Sequence, residues 1–315
     1  MKRILELLTL REESGAVLVI VAFSMVALLG FTALAIDGGR IYSEKSKLQK
    51  AVDSAVLAGA QGLRTTNSSS SAEEIANDIF YEKYGYDNSL VFDLTVVPGQ
   101  SIEGEAKNIP VSMTFAKAVG TDEAFINASA KAVVGPITKA SGIAPFVILK
   151  SDIPNRTVLN CGSTNPGDLQ GNCGYLKFSD GNLRDAILNG ATYDVRNTVF
   201  TDPGGSVGQV EQAIDGVDGI IAKDASKPHC QSPDTADNSC ARVITTVVVD
   251  NWVDVEGKPI TGKSELNIVG FASYWIDRYE DKKLYGKFIK MVAPGEIGTG
   301  TGIGDYNLFG VKLSE

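Results

Sequence analysis

The chain has 315 residues, 43% of them apolar, and a formal net charge of −9. That length accommodates one membrane span with one or two globular units, and the apolar share suffices for ordinary cores. Residues 1–36 set Lys2, Arg3 and Arg11 against Glu6, Glu12 and Glu13, so the whole acidic excess lies beyond them, which argues against nucleic acid or anionic lipid as a partner of the later part.

Residues 1–15 are mixed in charge and too few to fold alone, and are expected to form a short cytoplasmic N-terminus. Ala16 to Ile36 carries no charge. At ~1.5 Å per residue, a helix over this run covers roughly 30 Å, the hydrocarbon thickness of a bilayer, and satisfies its own backbone polar groups there. The run is therefore read as a single-pass transmembrane helix in the cell membrane. A secretory signal is the rival, because Ala33-Leu34-Ala35 fits a small-x-small cut after Ala35. The run is longer than the usual signal core of about 7–15 residues, however, and the helical pattern continues past the cut.

Beyond the span, Ile41, Leu48, Val52, Val56 and Leu63 recur four or seven residues apart, with Glu44, Lys45, Lys47 and Lys50 among them. This spacing predicts an amphipathic continuation of the same helix, bent at Gly38-Gly39. Thr65-Thr66-Asn67 and Ser68 to Ser71 form a polar linker, and a second helix is expected over Ala72 to Tyr84. Three stretches then alternate at period two: Leu90, Phe92, Leu94 and Val96; Ile109, Val111, Met113 and Phe115; and Ile126, Ala128, Ala130, Ala132 and Val134. Pro98-Gly99 marks a turn. A small antiparallel sheet packed on the long helix follows, giving a pilin-like unit over residues 37–140. Gly135-Pro136 and Gly142 to Pro145 mark its end.

Residues 141–315 read as a second α+β domain with a mostly antiparallel or mixed sheet. Asn182 caps a helix that runs through Ile187 and stops at Gly190, while Val207, Val210, Ile214, Val217 and Ile221 step along another. Strands are expected at Phe146–Leu149, Tyr175–Phe178, Val243–Val249, Leu266–Trp275, Leu284–Val292 and Tyr306–Leu313.

Cys161 lies near Cys173, and Cys230 near Cys240, in loops rich in Gly, Asn, Pro and Ser. Outside the cytoplasm these predict two short-loop disulfides, with the connectivity left open by the sequence. A zinc site made by the four with His229 lacks a Cys-x-x-Cys spacing. His229 is the one histidine, and it sits in a Lys-Pro-His-Cys loop, so no catalytic residue is assigned. Gly298 to Gly304 precedes a strand pattern rather than a helix, and reads as a connection and not a phosphate loop. Asp250, Asp254 and Glu256, and Asp234 with Asp237, do not form a twelve-residue calcium loop. No cofactor or metal is expected.

One order of parts is specific. Glu13-Ser14-Gly15-Ala16-Val17 precedes the apolar run, Ala35-Ile36-Asp37-Gly38-Gly39-Arg40-Ile41-Tyr42 leaves it, and Leu48-Gln49-Lys50-Ala51-Val52-Asp53-Ser54-Ala55-Val56-Leu57-Ala58-Gly59-Ala60 follows. Over roughly residues 11–62 this resembles the TadE/TadG-like proteins of Flp (tight-adherence) pilus assembly, and the strand pair around Val111–Phe115 and Ala128–Val134 is similar to the sheet that follows in that family. The resemblance implies a single-span, envelope-exposed, pilin-like component without catalysis, with other pilus-assembly or pilin proteins as partners. It makes Gly15 and Ala16 the candidate processing point, since related pseudopilins are cut after such a Gly. Ile20 stands where those proteins carry a Glu that pairs with a neighbouring subunit, and that departure speaks against processing and against packing in the filament itself. With Arg40, Lys45, Lys47 and Lys50 soon after the span, basic residues do not set the orientation. The cysteines and the resemblance put the C-terminal domain on the extracytoplasmic side. The function expected is a membrane-anchored, non-enzymatic accessory or minor-pilin-like component. An anchored surface adhesin is the alternative, and an anchored hydrolase a more distant one.

Overall fold

The structure is a computed structural model and describes residues 13–65, 68–160, 175–178, 182–202, 207–260, 262–298, 306 and 308–314. Cys161, Cys173, Thr66, Asn67 and most of the glycine-rich 298–304 segment lie outside the described residues. The fold is α+β. Its chain divides into two compact units, the first comprising Met1–Val56, Ala76–Thr95 and Glu103–Lys131, and the second Leu57–Ile75, Val96–Ile102 and Ala132–Glu315.

Helix α1 (Glu13–Thr65) is uninterrupted through Gly38-Gly39. Helix α2 (Ser69–Asn77) begins three residues before the sequence expectation and passes into a π-helical turn, Asp78–Lys83. In the first unit, strands β1 (Phe92–Val97), β2 (Ser101–Ser112) and β3 (Glu123–Leu149) are neighbours in that order. Alternation explains the packing, with one change of phase in β2 at Asn108, whose φ is +55°. Ala106, Ile109, Val111, Ile126 and Ala128 are buried, as are Leu48, Ala51, Val52, Ala55 and Val56 of α1. Phe80 completes this core, stacked on Phe92 at 4.2 Å and on Tyr86 at 4.7 Å between ring centroids. Gly104 has to be glycine here, since a Cβ would lie 2.8 Å from both Phe92 and Val56.

Strand β3 runs 27 residues and passes straight through Gly135-Pro136 and Gly142–Pro145, where the glycines and prolines suggest a boundary. The interruption is absorbed as a bulge. Gly142 has φ of +73°, and pairing with the neighbouring strand shifts between Ala140 and Ile143.

The second unit holds a mixed sheet. From the later part of β3, the order continues through β7 (Val243–Val249), β9 (Gly270–Glu280) and β10 (Lys283–Ile289) to β4 (Val158–Asn160). β3 and β7 are parallel, and each later pair is antiparallel. β5 (Ala191–Asp194) and β12 (Glu296–Ile297) add antiparallel pairs to β3, β11 (Met291–Val292) runs parallel to β13 (Leu308–Ser314), and β6 (Thr198–Phe200) forms a separate pair with β8 (Glu265–Asn267). Tyr175 and Leu176 make only single bridges.

Both faces of the central strands are buried, so the later part of β7 and the first part of β9 are buried at odd and even positions alike, whereas β10 alternates. Ile244 and Val248 of β7 and Ala272, Tyr274 and Ile276 of β9 pack with α3 (Leu183–Asn189), α4 (Val207–Asp215) and α5 (Ile220–Lys223) through Leu183, Ile187, Val210, Ile214 and Ile220. Val247, Val249 and Phe271 point the other way, into a core closed by Val199, Leu266, Ile268, Met291 and Leu308. The expected single helix from Val207 to Ile221 is two helices. Gly216 and Gly219 form a turn (Gly219 N–H to Gly216 O, 2.8 Å), and Val217 is 95% exposed instead of continuing the buried stripe.

Candidate functional site at the end of the apolar helix segment

Residues 17–36 of α1 are apolar on every side, and none of them is buried. Leu18 and Phe23 are each 73% exposed and Phe31 is 71% exposed. This helix is long and apolar enough to cross a membrane, and its most apolar stretch is not buried by the rest of the protein. The hydroxyl of Thr32 donates to the Leu28 carbonyl at 2.8 Å, so the polar side chain there is satisfied within the helix.

Directly after this stretch comes Asp37, which is buried. Its carboxylate receives the backbone N–H of Thr114 (2.8 Å), of Phe115 (3.2 and 3.0 Å to the two oxygens) and of Ala116 (2.7 Å). These amides open the short 3-10 turn Ala116–Val119 between β2 and β3, which ends on Gly120 at φ +86°. No side chain within that turn caps it, and Asp37 supplies the anion from another element. Burial raises the Asp37 pKa. The N–H groups of Thr114, Ala116 and Phe115, with the charge of Arg40, outweigh that and hold it below the ordinary aspartate value. Arg40 also reaches the Thr114 hydroxyl at 3.4 Å. On the same helix, Lys45 Nζ donates to Asn127 O (2.8 Å) and Gln49 Nε2 to Ser129 O (2.9 Å), so a row of polar side chains fixes α1 along the first part of β3.

Residues 15–62 match the family described as putative Flp pilus-assembly TadE/G-like. No curated protein and no solved structure matches the chain. The TadE/G-like stretch takes in the exposed apolar segment, Asp37, Arg40 and the buried stripe from Leu48 to Ala60, and it supports a Tad pilus-related role. Residues 63–315 lie outside the match.

The sequence-predicted sites fall in separate places. Gly15 and Ala16 lie within α1. Cys230 and Cys240 are disulfide-bonded, while Cys161 and Cys173 are among the residues not described. His229 is beside that bond. Its Nε2 is 3.1 Å from Ser239 Oγ and 3.7 Å from Asp237, and it clusters with the two bonded sulfurs. The same loop is anchored inward by Trp275 Nε1, which donates to Cys230 O at 2.9 Å, and by buried Asp224, which accepts from Lys227 Nζ and the Arg242 N–H, both at 2.8 Å. Burial raises the Asp224 pKa; those partners and the Ala241 N–H bring it below its ordinary value. Asp250 pairs with Lys150 and Glu256 with Lys258, and Asp254 accepts the N–H of Glu256 and Lys258 in a turn, so each acid of this group is engaged in its own local contact. The residues sequence reasoning missed are Thr114, Phe115 and Ala116. They act through backbone N–H groups, which carry no residue-type signal. The nearest clue was an acid placed immediately after an apolar run.

Proposed function

We propose that the chain is a membrane-anchored, non-enzymatic component of Flp/Tad-type pilus assembly, a TadG-like accessory or minor-pilin-like protein. It acts through contacts with other pilus proteins. The observation that carries this reading is the coincidence of the TadE/G-like stretch with α1, whose first half offers lipid an uninterrupted apolar surface and whose second half is built into a folded unit. Residues 1–15 form the cytoplasmic end, 16–36 the span, and 37–140 with 141–315 the extracytoplasmic part. The Cys230–Cys240 bond supports that sidedness, because disulfides persist in oxidising compartments. The non-catalytic reading is supported by His229, which is exposed together with its neighbours Ser239 and Asp237, so that water reaches the only imidazole in the sequence from the surface. Deletion of the gene abolishes or shortens surface pili in electron micrographs, and re-expression of the full chain restores them; mutant cells with pili of normal number and length would overturn the proposal.

A further inference from the structure

The turn between β2 and β3 is held at the level where the apolar segment ends. A helical side chain leans toward the N-terminus and covers the turn before its own Cα. The four N–H contacts to Asp37 therefore place Thr114, Phe115 and Ala116 beside the last turn of residues 33–36, not above it. Exposure along the helix agrees. From Val17 to Ile36 every residue is exposed except Ala33, which is half-buried and lies one turn before Asp37 on the same face. At this level the turn carries Phe115, 43% exposed, and the adjoining strand carries Phe125, 63% exposed, although Ile126 beside it is buried. Lys117 and Arg40 are exposed nearby, and so is Tyr42, a residue type that favours the boundary between lipid and water. Asp122 and Glu123, where the turn leads into β3, are exposed as well, and Glu44 and Asp87 line a cavity with Ile126, the strand position after Phe125.

We propose that this turn is a second, shallow membrane contact, with Phe115 and Phe125 entering the headgroup and upper acyl region of the bilayer that α1 spans. The proposal rests on reading residues 16–36 as a span. Given that span, a tip fixed by Asp37 cannot stand clear of the interface, and two uncovered aromatic rings at that depth lose water contact on meeting lipid. The mixed charge of Lys117, Arg40, Asp122 and Glu123 fits a zwitterionic surface, with no need for anionic lipid. The contact sets the first unit at a fixed height and orientation on the bilayer, where the single helix alone would leave it free to rotate.

The test uses the full chain reconstituted into phosphatidylcholine vesicles, with Phe115→Trp and, separately, Phe125→Trp. Emission is compared with that of the unsubstituted chain, so that Trp252 and Trp275 are subtracted, using lipids brominated near the glycerol end or near the methyl end of the acyl chain. Flotation through a density gradient is read on the same samples. The expected result is flotation, with a blue-shifted added emission that shallow bromines quench more than deep ones. Added emission at the position of a water-exposed indole, unquenched in a chain that floats, would overturn this contact and leave the span standing. A chain that fails to float would overturn both.

Discussion

The two halves of α1 share one backbone hydrogen-bond ladder and meet opposite surroundings. Residues 17–36 expose Leu, Val, Ile and Phe side chains on all faces, whereas from Leu48 to Ala60 the apolar residues fall on a stripe, and Leu48, Ala51, Val52, Ala55, Val56 and Ala60 are completely buried. Lys45 and Gln49 then tie the second half to β3 by name and distance, a kind of contact the first half lacks among its described residues apart from Thr32 within the helix. Apolar content alone does not tell the two apart. Its angular distribution does: an all-round apolar helix needs an all-round apolar solvent, and a striped one needs only a neighbour.

The comparison breaks most sharply with charge. Val26→Lys combined with Leu29→Lys should cost about 2.5–3.5 kcal/mol per lysine at the middle of a span, and shift the chain out of the membrane fraction on carbonate extraction. Retention at wild-type level would mean that this half is not in lipid. Truncations sharpen it next. Leu48→Ala removes a fully buried side chain and should lower unfolding stability by about 2–5 kcal/mol in detergent, while Leu34→Ala, in the exposed half, should leave the melting midpoint of the folded part in place.

A third prediction concerns the disulfide. Cys230→Ser with Cys240→Ser opens a loop of sequence separation 10 and should cost about 2–3 kcal/mol on the loop-closure estimate, read by denaturant unfolding, with membrane extraction unchanged. The smallest effect is at Asp37. Because its native pKa lies below the ordinary aspartate value of 3.8, its contribution is fully present above that value and is lost as pH falls through the native pKa. Asp37→Asn should therefore lower the melting midpoint at neutral pH, and the difference from wild type should shrink as the solution is acidified below about 4. A difference that stays constant with pH would show that the carboxylate charge plays no part in holding the turn.

Much of this was legible because local signals and burial agree. Asn182 accepts the N–H of Asp185 at 2.9 Å, and Gly190 ends the same helix with φ of +67°, as a polar residue before and a glycine after an apolar pattern predict. Val243–Val249 is a strand with the expected limits, since β-branched residues on both faces suit a strand with a core on each side. What was not legible depended on distant parts. Gly216 and Gly219 interrupt a period that Val217 and Ile221 would otherwise continue, so an unbroken hydrophobic spacing overestimated the helix. Gly135 and Pro136 lie inside one strand, β3, which pairs with β5, β7 and β12 beyond them, so long-range pairing outweighs a local breaker of secondary structure, while the division into compact units falls close by, between Lys131 and Ala132. The site after the apolar segment was only partly legible: Asp37 entered the sequence reading as one residue of the Asp37-Gly38-Gly39-Arg40-Ile41-Tyr42 stretch that carries the resemblance, while its backbone partners, 77 to 79 residues further on, had no side chain to announce them.

The closeness of Cys230 and Cys240 along the chain makes their bond a local one, with no residue of the sheet strand it meets inside the loop it closes. Both cysteines come before strand β9, whose Trp275 donates its indole N–H to the Cys230 carbonyl. The loop thus closes on residues that all precede β9, and Trp275 is the contact by which the sheet holds it.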